Sequence, residues 1–336
     1  MNFINENDWE DSKILSLLKT AEYLKKEKIT TDLLHQKILA MIFFNPSTRT
    51  RASFEIAMFR DGGKAICIEP GKGSWGIETR RGVVMDEEYA EHLIEATRVL
   101  SRYADVIGVR AFPIVNSTWE EAKKDSIIWD IAWNSNVPVI SMESARRHPC
   151  QGLADTLTLQ EKLGPNTNKK KFLLTWAYHP KSLPTAVPVS AALSAGLLGM
   201  DITIAHPPGF ELDEDDMKTI YSRALRNGGT VKISNDLDAA IKDQHVVYAK
   251  SWGSLKLRGL DLHSELKLRR KYKNWIINEA RMGTTLGNKG IFMHCLPVRR
   301  NVIVTDGVLD SFRSVVTDQA ENRIHTQRAL LIELLS

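Results

Sequence analysis

Short apolar runs alternate along the whole chain with longer stretches that mix apolar and polar residues at helical spacing. This alternation is typical of parallel β-sheets flanked by helices, because parallel strands need long, usually helical, connections. Several runs are almost entirely apolar, as expected for strands buried on both faces. The predicted strands are Ile38–Phe44, Ala65–Glu69, Val106–Val109, Val137–Met142, Phe172–Trp176, Ile202–Ala205, Val246–Ala249 and Ile291–His294. Predicted helices include Ser12–Lys26, Ala90–Tyr103, Ala186–Leu198 and Asp213–Arg226.

The chain length of 336 residues predicts two domains, since a single hydrophobic core rarely grows to that size. The pattern changes near residues 145–155, where Arg146-Arg147-His148-Pro149 leads into a new helix. We therefore predict an α/β protein with a first domain over residues 1–148 and a second over residues 149–319. Each domain is expected to be a mostly parallel sheet flanked by helices, with the active site in the cleft between the domains.

Composition excludes several classes of protein. The 45 basic and 41 acidic residues are well mixed, without the basic stripe of a nucleic-acid-binding protein. The three cysteines lack the spacing of a zinc site or a disulfide framework, so we expect no metal. Neither a leader sequence nor an apolar run long enough to span a bilayer is evident, so a cytoplasmic location without membrane association is expected.

Polar and cationic residues follow the predicted strands. Ligands of open parallel sheets bind beyond the carboxyl ends of the strands, so these residues mark the expected site. The segments concerned are Asn45–Arg51, Arg110, Glu143, His148–Gln151, His179–Lys181, Lys250–Trp252 and Cys295–Asn301. Their shared placement at strand ends indicates an anion-binding site more strongly than any single residue does.

The segment Ser47-Thr48-Arg49-Thr50-Arg51 lies where a loop is predicted to enter a helix. Backbone N–H groups, hydroxyls and arginine side chains would there present donors suited to a phosphate. The alternative is an ordinary helix cap followed by solvated arginines. Neither a P-loop nor the glycine fingerprint of a dinucleotide-binding fold is present, which argues against a nucleotide-binding dehydrogenase.

His148 and Gln151 are three residues apart and would share a face on the first turn of a helix. A lone histidine is more often structural, but His148 follows a strand end at which Arg110 and the Ser47–Arg51 segment are also expected. Cys295 has no base placed for it by the sequence, so a small buried residue beside a backbone turn is the preferred interpretation.

Three motifs occur in order: Ser47-Thr48-Arg49-Thr50-Arg51, His148-Pro149-Cys150-Gln151 and His294-Cys295-Leu296-Pro297. Together they resemble the aspartate/ornithine carbamoyltransferase family, and the likeness runs over essentially the whole chain. The resemblance implies a carbamoyl-phosphate-binding domain, an amino-acid-binding domain and a C-terminal helix over residues 320–336 that packs on the first domain. It also implies a homotrimer whose active sites are shared between subunits, and no metal or organic cofactor.

The resemblance assigns roles to individual residues. The segment Ser47–Arg51 would bind the phosphate of carbamoyl phosphate, and Trp75 would reach the site of a neighbouring subunit. Arg110 and His148 would bind the carbonyl oxygen of the substrate, while Gln151 and the backbone carbonyl of Leu296 would bind its amide nitrogen. The implied catalytic set comprises Arg110, His148, Gln151, Cys295, Leu296 and Arg323.

The amine acceptor is expected to be an N-acylornithine. Ornithine enzymes carry a Ser-Met-Gly element, which this sequence lacks; the corresponding stretch contains Lys250. A lysine would repel a free α-ammonium group, whereas an acylated ornithine has none. The implied substrate-binding residues are Glu143, His179, Lys181, Lys250, Arg299 and Ala90.

Ala90 bears on the acyl group, because the matching residue is glutamate in acetylornithine enzymes and proline in succinylornithine enzymes. An alanine would not repel a second carboxylate, so N-succinyl-L-ornithine is the first expectation and N-acetyl-L-ornithine the alternative. The product would be an N-acylcitrulline in arginine biosynthesis. More distant alternatives are an ornithine carbamoyltransferase and a non-catalytic anion-binding relative.

Overall fold

The computed structural model describes residues 1–112 and 117–335 and divides the chain into two compact units. The first comprises Met1–Pro113, Ala122–Cys150 and Arg323–Ser336, and the second comprises Ile114–Glu121 and Gln151–Asn322. The strands are β1 (Ile38–Phe43), β2 (Lys64–Ile68), β3 (Ile77–Glu78), β4 (Glu91–His92), β5 (Val106–Arg110), β6 (Val139–Glu143), β7 (Lys171–Trp176), β8 (Asp201–Ala205), β9 (Thr230–Ser234), β10 (Val246–Lys250) and β11 (Ile291–Met293).

A 3-10 helix spans Leu286–Asn288, and α-helices cover the remaining regular parts of the described chain. They are α1 (Asp11–Lys26), α2 (Thr48–Arg60), α3 (Leu93–Tyr103), α4 (Trp119–Ala122), α5 (Ser126–Asn134), α6 (Pro149–Leu163), α7 (Ala186–Leu197), α8 (Glu214–Arg226), α9 (Leu237–Ala240), α10 (Leu262–Arg270), α11 (Glu279–Gly283), α12 (Asp306–Leu309) and α13 (Val316–Leu335). No helix in the part of the chain that the structure describes is both long and apolar enough to cross a membrane.

The first unit contains a four-stranded parallel sheet with the strand order β2-β1-β5-β6. Its central strands are apolar because both faces are covered, and all five residues of β5 are buried. Leu39 lies opposite both Ala65 and Val106, which sets the register of three adjacent strands. A separate two-stranded parallel ribbon joins β3 and β4.

The second unit contains a five-stranded parallel sheet with the strand order β11-β10-β7-β8-β9. Every residue of α7 is buried, which explains why the sequence Ala186–Leu197 is apolar on all sides. The parallel direction of both sheets places the carboxyl ends of the strands at one edge in each unit. Those ends lead into the predicted site segments.

The predicted α/β class is confirmed, and a strand lies at each of the eight predicted positions. The predicted helix Ala90–Tyr103 is wrong at its start: Glu91 and His92 pair with β3, and the helix begins at Leu93. His92 caps it, since its Nδ1 accepts a hydrogen bond from the Ile94 N–H at 3.2 Å. The helix predicted over residues 320–336 begins earlier, at Val316, and residue 336 lies outside the described residues.

The predicted domain boundary after residue 148 lies two residues before the end of the segment Ala122–Cys150 of the first unit. Residues from Arg323 onward also belong to the first unit. Which ligand each unit binds stays a prediction at this point.

Candidate functional site

The first part of the site lies at the start of α2, directly after β1. Ser47 is the N-cap in extended conformation, and its Oγ accepts a hydrogen bond from the Thr50 N–H at 3.3 Å. The Ser47 hydroxyl also donates to Thr50 Oγ1 at 3.0 Å. The sequence of the first helical turn contains Arg49 and Arg51 and no acidic residue. The positive end of the helix dipole is therefore reinforced by arginines, an arrangement suited to an anion.

The two arginines of this segment differ in their surroundings. Arg51 is half exposed, and its Nε donates to Glu55 at 2.9 Å while Nη1 lies 3.6 Å from Glu69. The pKa of the Arg51 guanidinium is raised, mainly because of its hydrogen bond to Glu55. Arg49 is partly buried in the same helical turn. Thr48, the first helical residue, is exposed.

Arg110, Glu143 and His148 form a buried cluster at the ends of β5 and β6. Arg110 and Glu143 are register partners on adjacent strands, and Arg110 Nη1 donates to Glu143 Oε2. The same carboxylate oxygen lies 3.5 Å from His148 Nε2. Glu143, which we expected to bind the substrate, is thus placed to orient the two residues predicted to bind the carbonyl oxygen. Its predicted substrate role stays a prediction.

Arg323 joins the first part of the site from the C-terminal helix. Its Nη2 donates to Thr50 Oγ1 at 3.3 Å, and its side chain is buried. Burial lowers the pKa of the Arg323 guanidinium. Burial also raises the pKa of the neighbouring Cys150 thiol to about 12, so that thiol is neutral. Through its contact with Thr50, Arg323 brings a positive charge to the start of α2, although the two residues are far apart in sequence.

Gln151 is the third residue of α6 and belongs to the second unit. Its Nε2 donates to Asp155 Oδ1 at 2.8 Å, one helical turn further along. His148 lies just before the same helix, in the first unit. Asp155 is not among the site residues predicted from the sequence. Its spacing of four residues from Gln151 on a predicted helix could have indicated that the two side chains are in contact.

The loop after β11 carries Cys295 and Leu296. The Leu296 N–H donates to Nδ1 of the buried His294 at 2.9 Å. Leu296 has a φ of +56°, a left-handed conformation uncommon for a residue with a side chain. Such conformations require support from their surroundings, and here the His294 imidazole provides it. Cys295 lies beside this turn, but it is half-buried, whereas the preferred interpretation was a small buried residue.

A cationic group lies at the ends of β7 and β10 in the second unit. Arg299 Nε donates to His179 Nε2 at 3.0 Å, and His179 Nδ1 lies 3.0 Å from the backbone N and O of Lys181. Burial, together with Arg299 and Lys250, lowers the pKa of His179 to about 4. Lys250, the last residue of β10, is half-buried, whereas Lys181 is exposed. A neutral imidazole thus lies near three cations, Arg299, Lys250 and the buried Arg269.

Trp75 and Ala90 lie near the β3–β4 ribbon of the first unit. Trp75 is 61% exposed, and its Nε1 donates to Glu91 Oε2 at 2.7 Å. Ala90 is exposed and directly precedes β4. Among residues 1–112 and 117–335, no group of three histidine, cysteine, aspartate or glutamate side chains is arranged to hold a metal ion.

Comparison with known families matches both halves of the chain. Residues 1–161 match the carbamoyl-phosphate-binding domain of aspartate/ornithine carbamoyltransferases. Residues 185–334 match the aspartate/ornithine-binding domain of the same family.

Curated relatives align over nearly the full chain. An N-acetylornithine carbamoyltransferase of Xanthomonas campestris pv. campestris is 44% identical, covering 99% of this chain and 97% of the relative. An N-succinylornithine carbamoyltransferase of Bacteroides fragilis is 37% identical, covering 95% and 94%. An ornithine carbamoyltransferase of Pyrococcus abyssi is 36% identical, covering 98% and 93%.

Solved structures show the same fold. An acetylornithine transcarbamylase complexed with acetylcitrulline is 44% identical with a TM-score of 0.96, covering 100% of this chain and 99% of the other. A variant of N-acetyl-L-ornithine transcarbamylase with one glutamate replaced by alanine is 45% identical with a TM-score of 0.95, covering 99% of each chain. That variant was crystallised with carbamyl phosphate and N-succinyl-L-norvaline.

Proposed function

Because this chain belongs to the aspartate/ornithine carbamoyltransferase family, we propose that it carbamoylates the side-chain amine of an N-acylornithine. Carbamoyl phosphate is the donor, and the products are an N-acylcitrulline and phosphate. The observation that carries this proposal is the start of α2, where hydroxyls and arginines gather at the positive end of a helix and Arg323 joins Thr50. Donors in this arrangement suit a phosphate.

The arrangement of the first unit supports the chemistry of carbamoyl transfer. Attack of the neutral amine on the carbamoyl carbon forms a C–N bond and places negative charge on the carbonyl oxygen. Arg110 and His148 both contact Glu143, and in this proposal they donate to that oxygen and stabilise the charge. The C–O bond to phosphate then breaks, and the departing phosphate takes the proton that the amine releases. The start of α2 holds the phosphate as a polyanion.

The second unit supports an acceptor with a carboxylate and no free α-ammonium. Lys250 and Arg299 flank a His179 that is neutral at physiological pH, so the local charge is positive. A free α-ammonium group would be repelled here, and an α-carboxylate would be attracted. This charge pattern favours an acylated ornithine over ornithine itself.

For the acyl group, the comparisons favour acetyl, the alternative of the sequence analysis, over succinyl. The acetylornithine relative is 44% identical and the succinylornithine relative 37%. The sequence next to Ala90 points in the same direction, since residues 86–91 contain four acidic side chains and no basic one, and Arg80 pairs with one of them, Glu87, at 3.3 Å. A second carboxylate close to this acidic segment would be repelled. We therefore propose N-acetyl-L-ornithine as the acceptor.

N-Succinyl-L-ornithine remains a second candidate because of one specific observation. Ala90 itself carries no charge, and the solved relative in which a glutamate is replaced by alanine was crystallised with N-succinyl-L-norvaline. If that glutamate corresponds to Ala90, a succinyl group would fit here as well.

We also propose a homotrimer in which Trp75 contributes to the site of a neighbouring subunit. The supporting observation is its large exposed ring, which Glu91 holds away from its own core.

A direct test is a citrulline-product assay with carbamoyl phosphate and, in parallel, ornithine, N-acetyl-L-ornithine and N-succinyl-L-ornithine. The proposal expects product with an acylated ornithine only. Absence of product with all three acceptors would contradict the proposed activity.

A further inference from the structure

A buried hydrogen-bond chain in the second unit links Gln151 to the loop that carries Leu296. It begins at Gln319, whose Oε1 accepts a hydrogen bond from the His294 N–H at 3.0 Å. A backbone N–H can only donate, so this contact fixes which end of the Gln319 amide is oxygen. The Gln319 Nε2 then necessarily faces Asp155 Oδ1, at 2.6 Å, and Tyr248 Oη, at 3.1 Å.

Asp155 fixes the orientation of the Gln151 amide, because a carboxylate oxygen accepts and so faces the nitrogen end of an amide. Its Oδ1 accepts from Gln319 Nε2 at 2.6 Å and from Gln151 Nε2 at 2.8 Å. Asp155 and Gln319 are both buried, which strengthens hydrogen bonds to a carboxylate and makes a reversed amide costly. Asp155 holds the nitrogen of the Gln151 amide. The amide oxygen, which is a hydrogen-bond acceptor, can therefore face a ligand.

The same chain shapes the Leu296 turn. Gln319 holds the His294 backbone, and the His294 ring holds the Leu296 N–H at 2.9 Å. The left-handed conformation of Leu296 thus depends on a residue that Gln319 anchors. The Leu296 carbonyl oxygen is also an acceptor. One hydrogen-bond chain therefore controls two acceptors that come from parts of the sequence about 145 residues apart.

We propose that Asp155 is a positioning residue that makes the site selective for a donor substrate bearing an –NH₂ group. This inference rests on the proposed function together with the roles that the family resemblance implies, in which Gln151 and the Leu296 carbonyl bind the carbamoyl nitrogen. An –NH₂ group donates two hydrogen bonds, which match two acceptors, whereas a methyl group of the same size leaves both acceptors desolvated and unsatisfied. Asp155 sets this preference by fixing the polarity of the Gln151 amide and, through Gln319, the Leu296 turn.

The experiment compares carbamoyl phosphate with acetyl phosphate, which has a methyl group in place of the amino group. Dissociation constants for both are measured by calorimetry on the full-length protein, and their ratio is the readout. Asp155→Leu removes the carboxylate and should reduce the preference for carbamoyl phosphate at least about fivefold, the effect of losing roughly one hydrogen bond. Asp155→Asn keeps an oxygen acceptor at the same position and should retain most of the preference.

Thr156→Val is the matched control, because Thr156 is also buried on α6 and its hydroxyl donates to the Gly152 carbonyl of the same helix at 2.8 Å. It should leave the ratio unchanged. If the role of Asp155 is purely structural, Asp155→Leu should weaken the binding of both phosphates equally. The ratio of the two dissociation constants would then stay constant, and that result would overturn the inference. If Asp155→Leu does not fold, Asp155→Ala removes the same carboxylate with a smaller side chain, and an unchanged ratio there would also overturn the inference.

Failure of the proposed function gives a different result. Wild-type protein that binds neither phosphate would contradict the carbamoyl-phosphate site itself. Wild-type protein that binds both equally would contradict only the selectivity assigned to Asp155.

Discussion

Arg299 Nε donates a hydrogen bond to His179 Nε2 at 3.0 Å, so a guanidinium contacts an imidazole that must act as the acceptor. Nε2 therefore carries no proton, so the ring proton of neutral His179 lies on Nδ1, which donates to the Lys181 carbonyl oxygen at 3.0 Å. In this tautomer Nδ1 does not also accept from the Lys181 N–H, which lies at the same distance. Protonation of Nε2 would break the contact and place two cations against each other. The low pKa of His179, about 4, results from burial and from this charged environment.

The first prediction concerns stability at mildly acidic pH. The pKa of His179 is about 4 in the folded protein, and that of an unfolded histidine is about 6.5. Between these values the unfolded chain binds more protons, so His179 makes the free energy of unfolding fall as the pH drops from 6.5 toward 4. His179→Gln keeps an acceptor for Arg299 and does not titrate. We expect it to lose less stability than wild type between pH 7 and pH 5, measured by urea denaturation.

His35→Gln is the control for this prediction, since His35 is exposed. This variant should change the pH dependence less than His179→Gln does. If the free energy of unfolding changes equally with pH in His179→Gln and in wild type, His179 does not resist protonation in the folded state.

The strands could be predicted because most are buried on both faces and read as apolar runs. The unpredicted strand β9 shows the limit of that signal: it forms the edge of its sheet and all five of its residues are at least partly exposed. Its sequence, Thr230–Ser234, therefore mixes polar and apolar residues as a loop does. The start of α3 was misplaced for a related reason, since the two residues of β4 are too few to show a periodicity.

The positions of the candidate site segments could be predicted wherever a motif follows a strand end, as with Ser47–Arg51 after β1 and His148–Gln151 after β6, while their roles stay predictions. Contacts between residues far apart in sequence could not. Gln319 and Asp155 are 164 residues apart, and the buried ion pair of Arg328 with Asp61 joins residues 267 apart. No local pattern encodes such a pairing. The supporting residues of a site are therefore visible only in the folded chain.

The second prediction concerns the phosphate site. Arg49→Ala should lower kcat/KM for carbamoyl phosphate by roughly 10- to 150-fold, because a charge-assisted contact contributes about 1.5–3 kcal/mol. The fold should remain intact, as checked by circular dichroism. Arg60→Ala, at the opposite end of α2, is the control and should change kcat/KM little. Near-normal turnover of Arg49→Ala at low carbamoyl phosphate would refute the assignment of Arg49.

The third prediction concerns assembly. If Trp75 completes the site of a neighbouring subunit, Trp75→Ala and His148→Ala should each be nearly inactive as homotrimers. Mixed trimers of the two variants should regain activity, because some interfaces then combine two intact halves. Activity is measured after the subunits have been mixed, dissociated and reassembled. Trp133→Ala is the control, since Trp133 is 68% exposed yet stacks on Trp129 of its own chain. Verified mixed trimers without recovered activity would argue against a shared site.

The fourth prediction concerns the acyl group. We expect wild type to have a higher kcat/KM for N-acetyl-L-ornithine than for N-succinyl-L-ornithine, and negligible activity with ornithine. Ala90→Glu adds a negative charge to a segment that is already acidic, and burying like charges together costs up to several kcal/mol. The substitution should therefore lower kcat/KM for N-succinyl-L-ornithine about tenfold or more and change that for N-acetyl-L-ornithine little.

Ala90→Gln separates charge from size in this last experiment, because glutamine has the volume of glutamate without its charge. If charge decides, Ala90→Gln should retain the wild-type ratio of kcat/KM for the two acceptors, and only Ala90→Glu should shift it. A shift of equal size in both variants would mean that space around residue 90 sets the preference. A wild-type preference for N-succinyl-L-ornithine would reverse the assignment of the acyl group and leave carbamoyl transfer standing. Efficient carbamoylation of ornithine would instead contradict the charge argument built on Lys250, since that lysine should repel a free α-ammonium group.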